Sequence, residues 1–213
     1  GAFVKPEIDF KVLQGRTLHV QFQVNKPIKE AFVSLLSNKF QCFPETANSS
    51  VWEAFVPIDC EEAANEYPMS VEIYDYTDSS TILDSKFQVM PYPFKKMGVS
   101  ISSSKVAEEE EIGAPQINFE KQMEELAPKS PKQKLWQGTF YVPLDMTRVT
   151  CDYGVKRTTQ QKGFYMHKAL DIVSAAPKSV VWATQAGTIV IKDRFVETGN
   201  TIVIDHGWGI FTM

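Results

Sequence analysis

The sequence predicts an all-β protein. Residues 1–95 read as an immunoglobulin-like β-sandwich, 96–135 as a connector with one short helix, and 136–213 as an antiparallel β-sheet domain. Three observations carry this reading. First, short runs in the opening part alternate apolar and polar residues, as in Leu18-His19-Val20-Gln21-Phe22-Gln23-Val24. That period of two puts one face of a strand into a core. Second, the last part is dense in β-branched residues, at Thr188-Ile189-Val190-Ile191-Lys192 and Thr201-Ile202-Val203-Ile204-Asp205. Third, the composition between them turns small and polar at 100–104 and acidic at 108–111, which argues for a solvated connector.

Within the first part, Leu18 to Val24 is followed by the turn Asn25-Lys26-Pro27 and by strands over 31–36, 39–44, 51–58, 69–76 and 83–89. Six or seven short strands separated by turn residues fit a sandwich. Trp52, Phe55, Tyr74 and Tyr76 suit core packing better than a sugar-binding face. His19 alternates with core residues and reads as a surface position. No catalytic constellation is evident in this half. Its expected role is a spacer, a partner-binding module, or a cover that contacts the groove of the following domain.

In the connector, Phe119, Met123 and Leu126 recur at helical spacing. Asn118 is placed to cap the helix, and Pro128 and Pro131 end it. The acidic run at 108–111 lacks a scaffold that would fix it around a metal.

The net charge of −4 gives no reason to expect nucleic acid or an anionic membrane surface as a partner. No apolar run is long enough to span a membrane. Gly1 to Pro6 lack the apolar centre of a signal peptide; Gly1 reads as the start of a mature chain, which leaves room for an export signal already removed. Cys42, Cys60 and Cys151 form no Cys-x-x-Cys pair. Cys42 and Cys60 flank one strand pair and read either as a disulfide or as buried thiols. Cys151 reads as a small core thiol.

The chemistry concentrates in Gly163-Phe164-Tyr165-Met166-His167-Lys168-Ala169-Leu170-Asp171-Ile172-Val173. Read as one strand, this stretch points His167, Ala169 and Asp171 to one face and Met166, Leu170 and Ile172 into the core. An imidazole and a carboxylate with a small residue between them suit a zinc ion, which accepts nitrogen and oxygen ligands. By itself the pair fits equally a half-exposed strand whose His and Asp meet solvent.

Four segments in order extend this signal. They are Trp136-Gln137-Gly138-Thr139-Phe140 to Leu144, Val149-Thr150-Cys151-Asp152-Tyr153-Gly154-Val155-Lys156-Arg157, the His167 to Asp171 stretch, and Val181 to Val190 followed by Gly199-Asn200-Thr201-Ile202-Val203-Ile204-Asp205-His206-Gly207. Together they resemble the lysostaphin/LytM-type zinc metallopeptidases, over about residues 136–213. The resemblance implies that His167 and Asp171 bind zinc, and that Tyr153 and Arg157 shape the substrate groove. Ala169 stands where the family usually has Gly. His206 matches a turn residue of the family, not a metal ligand. The family's third zinc ligand and its catalytic histidines would lie beyond Met213, so no catalytic residue is expected within this chain, and the chain reads as a fragment.

The implied function is a zinc endopeptidase that hydrolyses peptide crosslinks of bacterial peptidoglycan. Peptidoglycan peptide stems are then the partner, and the periplasm, cell envelope or exterior the location. The alternative is an inactive relative that binds peptidoglycan or activates a cell-wall amidase. A biotinyl-type carrier hairpin, suggested by Ala186-Gly187-Thr188-Ile189-Val190, lacks an acceptor lysine in a suitable turn.

Overall fold

A computed structural model describes residues 10–98, 113–159, 163–196 and 198–213. The connector stretches 100–104 and 108–111 lie outside the described residues, as does the start of the chain. Two compact units are present. One comprises Gly1–Lys96 with Tyr153–Lys156 and Met166–Lys168; the other comprises Met97–Asp152, Arg157–Tyr165 and Ala169–Met213. The fold class is all-β, as the alternation predicts.

In the first unit, β1 (Phe10–Leu13), β2 (Thr17–Gln23), β3 (Glu30–Leu35), β4 (Asn38–Pro44), β5 (Val51–Pro57), β6 (Glu66–Tyr74) and β7 (Ser80–Met90) lie in the order β1-β7-β6-β3-β4-β5-β2. β1 runs parallel to β7, with Phe10 opposite Phe87. β4 changes partner along its length. Asn38 to Cys42 pair with β3, whereas Phe43 and Pro44 pair with β5. This switch lets both ladders feed one core. Leu18, Val20 and Phe22 of β2 join Ala31, Val33 and Leu35 of β3 there, with Met69, Val71 and Ile73 of β6 and Phe87 and Val89 of β7. β2, β3 and β6 were readable because each buries every second residue along most of its length. β1 was not foreseen: four residues are too few to show a period.

Between β3 and β4, Leu36 (φ 48°) and Ser37 (φ 62°) are both left-handed. A two-residue hairpin turn demands this, although neither side chain favours it. Cys42 and Cys60 are buried free thiols.

Among the remaining strands, β9 (Met146–Cys151) pairs antiparallel with β12 (Asp171–Ser174), and β8 (Lys96–Gly98), β10 (Lys156–Thr159) and β11 (Gly163–Met166) form a sheet in the order β11-β10-β8. A third sheet joins β13 (Thr188–Phe195), β14 (Gly199–Asp205) and β15 (Phe211–Thr212). The helix α1 runs over Gly113–Leu126. Its predicted apolar stripe is correct: Phe119, Met123 and Leu126 pack on Ile191, Phe195 and Val203. The helix begins earlier than expected, so Asn118 lies within it and does not cap it; its Oδ1 accepts a bond from Gln122 at 3.2 Å.

Candidate metal centre

The stretch 163–173 is not one strand. β11 ends at Met166 and β12 begins at Asp171, and Leu170 between them is 56% exposed instead of buried. The cause is a change of backbone partner. The His167 N–H donates to Val155 O at 2.9 Å, and its carbonyl accepts from Gly154 N at 2.6 Å. Asp171, four residues on, is instead paired with Cys151 on β9. The alternation that placed His167 and Asp171 on one face of a strand therefore does not apply.

The donors nevertheless converge. Cys151, His167 and Asp171 each offer one ligand atom, and these atoms all lie within 4.8 Å of one another. Cys151 is buried, and His167 and Asp171 are half-buried. Cys151 was missed as a donor because it carries no metal-type spacing to another cysteine; only the Asp171–Cys151 register reveals it.

A thiolate, an imidazole and a carboxylate are the donor types zinc takes. Tetrahedral zinc holds such atoms about 2.0–2.3 Å from itself, hence roughly 3.5 Å apart. Modest side-chain adjustment closes the observed spacing, so the residues present fit the ion.

Arg157 borders the same group. Its Nη2 donates to Asp171 Oδ2 at 2.8 Å, and its side chain is largely buried, with 19% exposed. Burial works against the guanidinium charge, yet hydrogen bonds to Tyr165, Asp171 and Cys151 raise its pKa. Tyr153 is placed differently from Arg157. Burial, with Cys60 beside it, raises its pKa.

His206 is fully buried. Its Nδ1 lies 2.7 Å from Ala186 O and its Nε2 lies 2.8 Å from Thr212 Oγ1. A carbonyl only accepts, so Nδ1 carries the proton and Nε2 accepts from the threonine hydroxyl. Asp205 Oδ1 accepts from Ser130 Oγ at 2.7 Å and from Gly207 N at 2.8 Å. Gly207 has φ 84°, and a Cβ there would strike the Gln133 carbonyl. The Asp-His-Gly turn is thus a packed corner, and both ring nitrogens of His206 serve it. His19, the third histidine, stacks on Phe55 with ring centroids 4.8 Å apart and bonds Glu53 at 2.8 Å.

No protein-family model matches the sequence, and no curated protein matches it. Among solved structures, the chain is similar to a Pseudomonas aeruginosa protein provisionally described as an M23 peptidase. The identity is 16%, the TM-score 0.55, and the match covers 98% of this chain and 72% of that one. CopC from Methylosinus trichosporium OB3b matches at 13% identity and TM-score 0.32, over 41% of this chain and 88% of CopC. The first likeness supports a peptidase-like fold. No helix among the described residues is long and apolar enough to cross a membrane.

Proposed function

We propose that this chain belongs to a zinc-dependent endopeptidase that hydrolyses peptide crosslinks of bacterial peptidoglycan, at the cell envelope or outside the cell. The observation that carries the reading is the convergence of His167, Asp171 and Cys151, in a fold similar to that of a provisionally described M23 peptidase.

His167 and Asp171 would hold the ion, with Cys151 as a further donor. Zinc bound there would supply a Lewis acid and a water acidic enough to act as a nucleophile at neutral pH. The chain's own residues set the frame. Backbone bonds from Gly154 and to Val155 fix the course of the chain at His167. Arg157 holds Oδ2 of Asp171 and so orients the carboxylate. Its guanidinium also gives the site a positive wall, suited to the carboxylates of peptide stems. His206 and His19 are engaged elsewhere, so neither supplies proton transfer at this group.

Elemental analysis of the purified chain, with and without added zinc, tests the reading first. About one zinc per chain is expected, lost in His167→Ala and in Asp171→Asn. Zinc uptake together with release of new amino termini from crosslinked peptidoglycan supports the peptidase. Zinc uptake without hydrolysis, but with retention on peptidoglycan, favours a binding or amidase-activating domain instead. A folded protein that takes up no zinc overturns both metal-holding versions.

A further inference from the structure

The segment that carries His167 belongs, by its contacts, to the first unit, which comprises Gly1–Lys96 with Tyr153–Lys156 and Met166–Lys168. Four groups of contacts hold it there. Lys168, next to His167, donates from Nζ to Asp59 Oδ2 at 2.8 Å and lies 2.9 Å from Glu61 Oε2. The Asp59 loop is preformed: Asp59 Oδ1 accepts from Glu61 N at 2.8 Å, and Asp59 O accepts from Glu62 N at 3.2 Å. Between the two acids, Cys60 is buried, and Tyr153 lies close enough to influence its thiol. Gly154 has φ 83°, and a Cβ there would strike the Phe94 ring, while Lys156 N donates to Lys95 O at 2.8 Å. Gly154 and Val155 in turn take both backbone groups of His167.

We infer that Asp59 and Glu61 are positioning residues for metal binding, acting through Lys168 on His167. This rests on the metal reading of His167. Within the first unit, Asp59 and Glu61 seat the segment on which this ligand is oriented. The three side chains of the clamp are 44–55% exposed, so the ion pairs add little to global stability. Their effect lies in limiting the excursions of a four-residue link, His167 to Leu170, that lies outside any strand. Outer partners that orient a ligand typically change metal affinity about 10–100-fold. Exposure places this clamp at the low end.

The test is cobalt(II) titration of the full 213-residue chain, followed by its visible absorption, in wild type and in the isosteric double variant Asp59→Asn/Glu61→Gln. The expected result is about tenfold weaker cobalt binding with a melting temperature within a degree or two of wild type. Partial recovery is expected when Lys168→Glu is combined with Asp59→Lys and Glu61→Lys. Equal affinity in wild type and double variant overturns the inference. Wild type that binds no cobalt overturns the metal reading itself. The positioning claim then stands or falls on the metal-free protein: the His167 ring resonances should shift and broaden in the double variant, and unchanged resonances would refute it.

Discussion

Arg157 Nη2 and Asp171 Oδ2 lie 2.8 Å apart, so the basic residue after the Tyr-Gly turn grips the carboxylate that follows His167 by four positions. Two effects compete here. The guanidinium fixes the carboxylate, and its charge opposes a second cation. At the effective dielectric of a largely buried group near the surface, the guanidinium repels a second cation about 4 Å away by about 4 kcal/mol, whereas loss of an orienting partner costs 10–100-fold in affinity, roughly 1.4–2.7 kcal/mol, so the repulsion outweighs the orientation.

Arg157→Ala should therefore bind zinc about tenfold more tightly than wild type. Arg157→Lys keeps the charge without the planar fork and should bind less tightly than wild type. Competition titration against a chromophoric chelator reads both. Weaker binding in Arg157→Ala would mean that orientation of Asp171 dominates.

Ser37 sits at φ 62° in the β3–β4 turn, in the left-handed region. Ser37→Gly removes that strain and should raise stability by about 1 kcal/mol, less the entropy glycine adds to the unfolded chain. Urea denaturation would show a higher midpoint with an unchanged slope.

Thr212 donates to His206 Nε2 inside a fully buried corner. Thr212→Val leaves that nitrogen unsatisfied and should cost about 1–3 kcal/mol. Thr212→Ser, which keeps the hydroxyl, should recover most of it. Equal midpoints for the valine and serine variants would refute a stabilising Thr212–His206 hydrogen bond.

Burial pushes the Cys42 thiol from an ordinary value of 9.0 up to about 12. Below pH 9 both folded and unfolded chains hold the proton. Above it the unfolded chain releases the proton while the folded chain keeps it. Stability should thus fall as pH rises from 9 to 12, by up to about 1.4 kcal/mol per pH unit from this group. Cys42→Ala should flatten that slope in stability measurements at pH 8, 9 and 10. The same slope in both proteins would assign it to other groups; Cys60 and Tyr153 are also raised, chiefly by burial.

Much of the fold was legible in the residues themselves. Leu18, Val20 and Phe22 alternate in the sequence and are buried in the structure, because a strand offers one face to the core whatever its partners. The stripe Phe119, Met123 and Leu126 likewise marked the packed face of α1. The helix start was misplaced because Asn118 can bond within a helix as well as at its end.

The sequence by itself determined that His167 and Asp171 were candidate donors, since side-chain chemistry travels with the residue. It also set the all-β class, since period-two burial is a local property. Tertiary structure alone decided how the donors meet. Gly154 and Val155 hold the His167 backbone, β9 holds Asp171 opposite Cys151, and a single-strand reading gives neither partner. Tertiary structure also decided that Cys151 faces the donors and that Lys168 reaches Asp59 and Glu61. Those pairs lie far apart in sequence, and their distances are set by sheet register and by the packing of Phe94 and Cys60 against the Tyr-Gly turn.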